Sequence, residues 1–212
     1  MSHWKQIKKD LKSLKGETTV GIVGKYTEHS DAYKSVVQAL EHAGIANKTK
    51  VKLAWIDSAQ KDISFDGLDA ILVPGGFGER GIEGKIKAAQ WARENNIPYL
   101  GICLGMQVAV IETARNLCKF ADAHSTEFAK TTHPMIALAE EWIKDDKKET
   151  RSEDTQKGGT MRLGSYPCVI TKGSLAEKIY KKTNITERHR HRYEMNATYE
   201  KDLKKVGMLI SG

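Results

Sequence analysis

The residues whose types and spacing most plainly permit chemistry are Gly101-Ile102-Cys103-Leu104-Gly105. A short apolar run after Pro98 reads as a buried strand, and residues 104–117 read as a helix. Cys103 falls at the turn between them, with a glycine two positions away on either side. This is the nucleophile-elbow pattern with cysteine in place of serine. The turn is too tight for flanking side chains, which accounts for the glycines. The helix N-terminus points its amides at the sulfur and favours thiolate over thiol. The competing reading is a buried structural cysteine ahead of a helix.

A second glycine-rich loop, Pro74-Gly75-Gly76-Phe77-Gly78-Glu79-Arg80-Gly81, also follows a strand. Glycine there lets backbone amides approach a ligand. The N–H of Gly76, paired with that of Leu104, could hold the oxyanion formed when Cys103 attacks a carbonyl; the alternative is a plain turn. Gly21-Ile22-Val23-Gly24-Lys25-Tyr26 is not a P-loop, because the spacing is wrong and no Ser or Thr follows the lysine. In Arg188-His189-Arg190-His191-Arg192-Tyr193-Glu194, strand geometry would place three arginines on one face and two histidines on the other. A guanidinium there could grip the carboxylate of an amino acid with two hydrogen bonds. A solvated basic edge strand and a histidine metal pair are the alternatives, and no further metal ligands accompany the pair. Glu127, in His124-Ser125-Thr126-Glu127-Phe128, could meet an ammonium group.

The elements that must position these residues alternate. Strands are expected at 19–23, 51–56, 70–73 and 97–102, and helices at 31–43 (closed by Gly44), 84–94 and 104–117. Such alternation with short connections predicts an α/β fold: an open, mostly parallel sheet flanked by helices, with the active site beyond the carboxyl ends of its strands. The second half is less regular. Residues 135–142 are apolar and ambiguous, and 144–157 read as an exposed charged loop. Short strands are expected at 158–163, 168–170, 185–193 and 206–210, with helices near 174–181 and 197–205. Residues 3–15 carry an apolar helical stripe at Trp4, Ile7, Leu11 and Leu14 against a lysine face, ending at Gly16 as a C-cap. That helix reads as a linker, leaving 17–212 as the main domain.

A chain of 212 residues can bury one substantial core, and 40% hydrophobic with 29% charged residues is ordinary for a globular domain. No stretch reaches the length of a membrane span and no apolar signal core opens the chain, so no membrane partner is expected. Three cysteines, Cys103, Cys118 and Cys168, argue against a disulfide scaffold and for a reducing, cytoplasmic setting; no CxxC pair suggests a metal. The net charge of +7 comes from scattered lysines, five of them in the first sixteen residues, with no nucleic-acid motif.

Taken together, Val20–Tyr26, Asp31-Ala32-Tyr33-Lys34-Ser35-Val36, Pro74–Gly78, Gly101–Gln107, Ser125–Phe128, Gly158-Gly159-Thr160-Met161-Arg162-Leu163-Gly164 and Arg188–Glu194 resemble the C-terminal glutaminase domain of the CTP synthase family, a class I (triad), flavodoxin-like glutamine amidotransferase. The likeness runs from about Trp4 to the end. It implies that Cys103 attacks the side-chain amide of L-glutamine, releasing ammonia and leaving a glutamyl thioester. Gly76 and Leu104 would be the oxyanion donors. Gly105, Met106 and Gln107 would line the pocket. Glu127 would bind the substrate ammonium and Arg192 its α-carboxylate. Arg80 and Glu83 match a lid associated with activation by GTP. No cofactor or metal is implied in this domain. ATP and Mg would serve a synthetase domain, the expected partner, which aminates UTP to CTP in pyrimidine biosynthesis; homo-oligomers are expected only for the full-length enzyme.

The family completes its triad with a late His-x-Glu. None of His124, His133, His189 and His191 has an acid two places on, and His29-Ser30-Asp31 precedes the nucleophile. The domain is therefore expected to be incomplete at its C-terminus and impaired in turnover, because no base would poise Cys103 and no acid would protonate the leaving ammonia. A catalytically dead binding or regulatory relative is the alternative.

Overall fold

Residues 20–23 and 71–73 are unbroken apolar runs, as strands covered on both faces must be. A computed structural model of the chain, describing residues 2–27, 30–138, 141–144, 147–150 and 162–212, places both in one sheet. The described residues divide into two compact units, Met1–Glu112 and Thr113–Gly212.

The first unit begins with helix α1 (Ser2–Lys12) and strand β1 (Gly16–Gly24). A 3₁₀ turn (Ser30–Tyr33) leads into α2 (Lys34–Ala46), followed by β2 (Thr49–Asp57), β3 (Ala70–Val73), α3 (Ile82–Glu94), β4 (Tyr99–Gly101) and the start of α4 (Leu104–Asn116). The four strands are parallel in the order β2-β1-β3-β4. The chain starts in the middle with β1, moves outward to β2, then returns to the far side of β1 with β3. Open α/β sheets take ligands at such a reversal, here beyond the carboxyl ends of β1 and β3. Ile22, Val23, Val73, Val108 and Ile111 are wholly buried, and each contributes about 1.5–3 kcal/mol through removal of its side chain from water.

Three expectations are corrected here. Gly16 opens β1 and does not cap the first helix, which ends at Lys12. Gly44 does not close α2, which continues to Ala46. It is buried where a Cβ would stand 2.7 Å from the Thr49 carbonyl oxygen and 2.9 Å from a Val51 methyl, so glycine allows helix and strand to approach closely. The run after Pro98 forms a strand but not a buried one. Among the described residues β4 is the sheet edge, paired with β3 alone, and Leu100 is 55% exposed.

The second unit holds β5 (His124–Ser125), β6 (Pro134–Leu138), β7 (Glu141–Lys144), β8 (Lys147–Thr150) and β9 (Arg162–Val169). It continues with α5 (Leu175–Tyr180), β10 (Asn184–His191), β11 (Tyr193–Met195) and, after a 3₁₀ turn, α6 (Glu200–Lys205). β9 and β10 pair antiparallel, β6 lies between antiparallel β11 and parallel β5, and β7 pairs antiparallel with β8. Ser174 caps α5 by accepting from the Glu177 amide. Residues 147–150, expected in a loop, are thus a strand, whereas 206–210, expected as a strand, are turn and coil after α6. The remainder of the 144–157 loop assignment falls largely on 145–146 and 151–157, outside the described residues, as do Gly158–Met161 of the GGTMRLG segment and His29.

Candidate active site

Cys103 lies where β4 gives way to α4, and its backbone is left-handed at φ 56°. A non-glycine residue held there is strained by about 1–3 kcal/mol, a cost typically met at functional sites. The flanking glycines are a steric requirement: a Cβ on Gly101 would overlap the Gly105 carbonyl, and one on Gly105 would overlap the Val73 carbonyl. The elbow is also pinned by hydrogen bonds. Ile102 N–H donates to Val73 O at 2.9 Å, Gly105 N–H to Ile102 O at 3.0 Å, and the Met106 and Gln107 amides to Cys103 O at 3.0 and 3.2 Å. The Tyr99 hydroxyl donates to Gly105 O at 2.7 Å, and burial pushes its pKa up. The Leu104 amide stands at the tip of α4, next in sequence to the sulfur's own residue.

The glycine-rich loop after β3 meets this elbow. A Cβ on Gly75 would stand 3.3 Å from Cys103 Cβ and 3.7 Å from its Sγ; one on Gly76 would stand 3.6 Å from a Leu104 methyl. The two expected oxyanion donors therefore belong to neighbouring backbone segments beside Cys103, which is half-buried. Leu104 is 1% and Gln107 5% exposed, while Met106, at 43%, faces outward. Gly105 serves the close approach of α4 to β3. Arg80 donates to the Lys25 carbonyl at 2.8 Å and lies over the Tyr26 ring, so the loop is tied back to the end of β1; the Lys25 ammonium donates to Phe77 O. Glu83 is exposed in the first turn of α3.

Glu127 and Arg192 belong to the second unit. Glu127 is half-buried, its amide bonded to Ser125 Oγ at 3.2 Å. The ends of its loop are drawn together by Asp122, which accepts from the Thr132 hydroxyl and amide, each at 2.7 Å, and pairs with His133 Nδ1. These contacts, the Thr132 hydroxyl first, hold the Asp122 carboxyl far below the usual range. His133 also stacks on Phe120 at 4.4 Å.

The expectation of three arginines on one face is corrected. Arg188 and Arg190 are on the exposed face of β10, but β10 ends at His191 and Arg192 occupies the bend before β11, half-buried. The chain changes sheets there, pairing with β9 before the bend and β6 after it. His189 and His191 share the inner face with ring nitrogens 3.1 Å apart, and burial lowers both pKa values. Glu194 pairs with Arg162 at 3.3 Å. Among the described residues no three His, Cys, Asp or Glu side chains are grouped to hold a metal, and no helix is long and apolar enough to cross a membrane.

One buried charge was not legible. Lys85, inside α3, is 1% exposed, and its Nζ lies 3.6 Å from the point a Gly76 Cβ would occupy. Burial first, then the charges of Lys25 and Arg80, lower its pKa to about 8.

A flavodoxin-like sheet with a cysteine elbow at its carboxyl edge is the architecture of an amidotransferase-type α/β domain. The family model described as Glutamine amidotransferase class-I matches residues 28–208. The glutaminase domain of Trypanosoma brucei CTPS, solved with bound acivicin, is 41% identical at a TM-score of 0.76, covering 90% of this chain and 72% of that one. The CTP synthases of Hyphomonas neptunium and Azospirillum brasilense are 49% and 51% identical across the whole of this chain, which spans 40% of their length. The chain belongs to the class-I glutamine amidotransferases and, within them, matches the glutaminase domain of CTP synthase.

Proposed function

We propose that this domain opens the side-chain amide of L-glutamine at Cys103, as the glutamine-hydrolysing part of a CTP synthase. The observation carrying the reading is the strained Cys103 backbone at φ 56°, held between glycines at which a Cβ would meet backbone carbonyls. The sulfur adds to the amide carbon, and the carbonyl electrons move to an oxyanion received by the Gly76 and Leu104 amides. Collapse expels ammonia and leaves a thioester, which water cleaves to glutamate. Glu127 meets the substrate ammonium and Arg192 its α-carboxylate. Gln107 braces the pocket wall, and Arg80 with Glu83 forms the lid that answers GTP. Ammonia passes to a synthetase domain that uses ATP and Mg to aminate UTP, in the cytoplasm.

Each half-reaction needs a proton moved, and no His-x-Glu follows Cys103 within these 212 residues. The isolated 212-residue chain is therefore slow. A glutamine-mimicking alkylator followed by peptide mass spectrometry tests the site: the adduct is expected on Cys103. Modification of Cys118 or Cys168 with none on Cys103 refutes the nucleophile. Ammonia release that is fast and lost in Cys103→Ala refutes the impairment.

A further inference from the structure

Lysine in a helix of a soluble domain ordinarily keeps its ammonium in water. Lys85 shares the inward face of α3 with Ile82, Ile86 and Ala89, while Lys87 on the same helix is exposed. A buried cation is tolerated where an anion meets it. The charged groups acting on Lys85 come from the end of β1 (Lys25), the glycine-rich loop (Arg80) and the elbow (Cys103); the first two oppose its charge and Cys103 favours it. Tyr26 and Tyr33 stand beside this cluster through Arg80, and Glu83 on α3 itself faces outward. Adjacent glycines separate the two reactive atoms: the Cβ position of Gly76 is 3.6 Å from Lys85 Nζ, and that of Gly75 is 3.7 Å from Cys103 Sγ.

We propose that Lys85 is a positioning residue for Cys103, its buried ammonium holding the sulfur as a thiolate across the Gly75-Gly76 backbone. The inference deepens the proposed nucleophilic role of Cys103 and rests on it. The thiolate then persists at neutral pH through a fixed charge inside the fold in addition to the helix N-terminus. Each partner's proton affinity depends on the other's, so the two titrate as a pair.

The test is the pH dependence of alkylation by iodoacetamide, read for each cysteine by peptide mass spectrometry from pH 5 to 10. In Lys85→Met the Cys103 midpoint is expected to rise by about one pH unit, with about tenfold slower labelling at pH 6. The Cys118 and Cys168 profiles stay in place. A measurement on the unaltered chain covers the case of a misfolded variant: blocking Cys103 with iodoacetamide removes the thiolate, and the Lys85 Nζ midpoint followed by NMR falls by a matching amount. A Cys103 midpoint that is low in the unaltered chain but unmoved by Lys85→Met, or a Lys85 midpoint unmoved by blocking, overturns the proposal alone. A Cys103 midpoint no lower than that of Cys118 overturns the nucleophile reading and the proposal with it.

Discussion

Replacing Lys85 by methionine is expected to stabilise the fold at neutral pH. The side chain is 1% exposed, and its pKa falls from the ordinary 10.5 to about 8. At about 1.4 kcal/mol per pH unit, that displacement corresponds to about 3 kcal/mol lost by keeping the ammonium inside. Methionine has a similar length and helix propensity and carries no charge, so most of this is recovered, giving a gain of about 1–3 kcal/mol. The sign follows from linkage. The folded pKa lies below the unfolded one, so between pH 8 and 10.5 the unfolded chain binds more protons and native stability rises with pH. The variant's advantage is therefore full below pH 8 and vanishes near 10.5. Urea unfolding of both proteins at intervals from pH 7 to 10.5 reads the difference directly. Equal stability at pH 7, or a gap that stays constant to pH 10.5, refutes the buried charge as the source.

Three other perturbations address different parts of the molecule. Gly105→Ala forces a Cβ into the Val73 carbonyl; it is expected to cost at least about 2 kcal/mol and to slow Cys103 labelling, and an unchanged melting curve with normal labelling would remove the steric argument. Glu112 is 2% exposed and receives Arg93 Nη2 at 2.7 Å, so Arg93→Met should cost about 3 kcal/mol by removing the cation from a buried carboxylate, and adding Glu112→Leu should recover most of it. If single and double variants melt alike, the pair carries no such penalty. His189 and His191 both have pKa values lowered first by burial. The neutral rings are favoured in the fold, so stability is present above the ordinary histidine value and is lost as pH falls through the depressed folded values. Melting of the chain should weaken from pH 7.5 towards 5 and do so less in His189→Phe; identical acid profiles would count against it.

The parts legible in the sequence were those in which local chemistry and tertiary role coincide. Residues 70–73 were placed to the residue because a wholly apolar run between Asp69 and Pro74 has one use in an α/β fold, a buried strand. The elbow was legible because a left-handed cysteine leaves a mark in its neighbours: two glycines required by carbonyls that touch them. Gly16 and Gly44 were misread for the complementary reason. A glycine at a helix end looks like a cap, yet Gly44 answers to Thr49 and Val51 on another element. The bend at Arg192 was equally hidden, because alternation predicts faces only while a strand stays in one sheet. Lys85 was invisible, since lysine in an amphipathic helix reads as a solvent position until the neighbours on all sides are known.

A sequence that specifies a fold agrees with it at every level, and violations that persist are expected at sites kept for another purpose. Around the ends of β3 and β4 two such violations flank the Gly75-Gly76 backbone: a cysteine at φ 56°, between glycines that nearby carbonyls require, and a lysine inside α3. Each destabilises the fold alone. Leucine or methionine at 85 would bury more comfortably, and an ordinary strand-to-helix turn would relieve Cys103. Their grouping about the Gly75-Gly76 backbone is what the proposed roles of Cys103 and Lys85 require: strain that aims a sulfur and a buried charge that keeps it ionised. A stabilised Lys85→Met chain that loses Cys103 reactivity would display that trade in one protein.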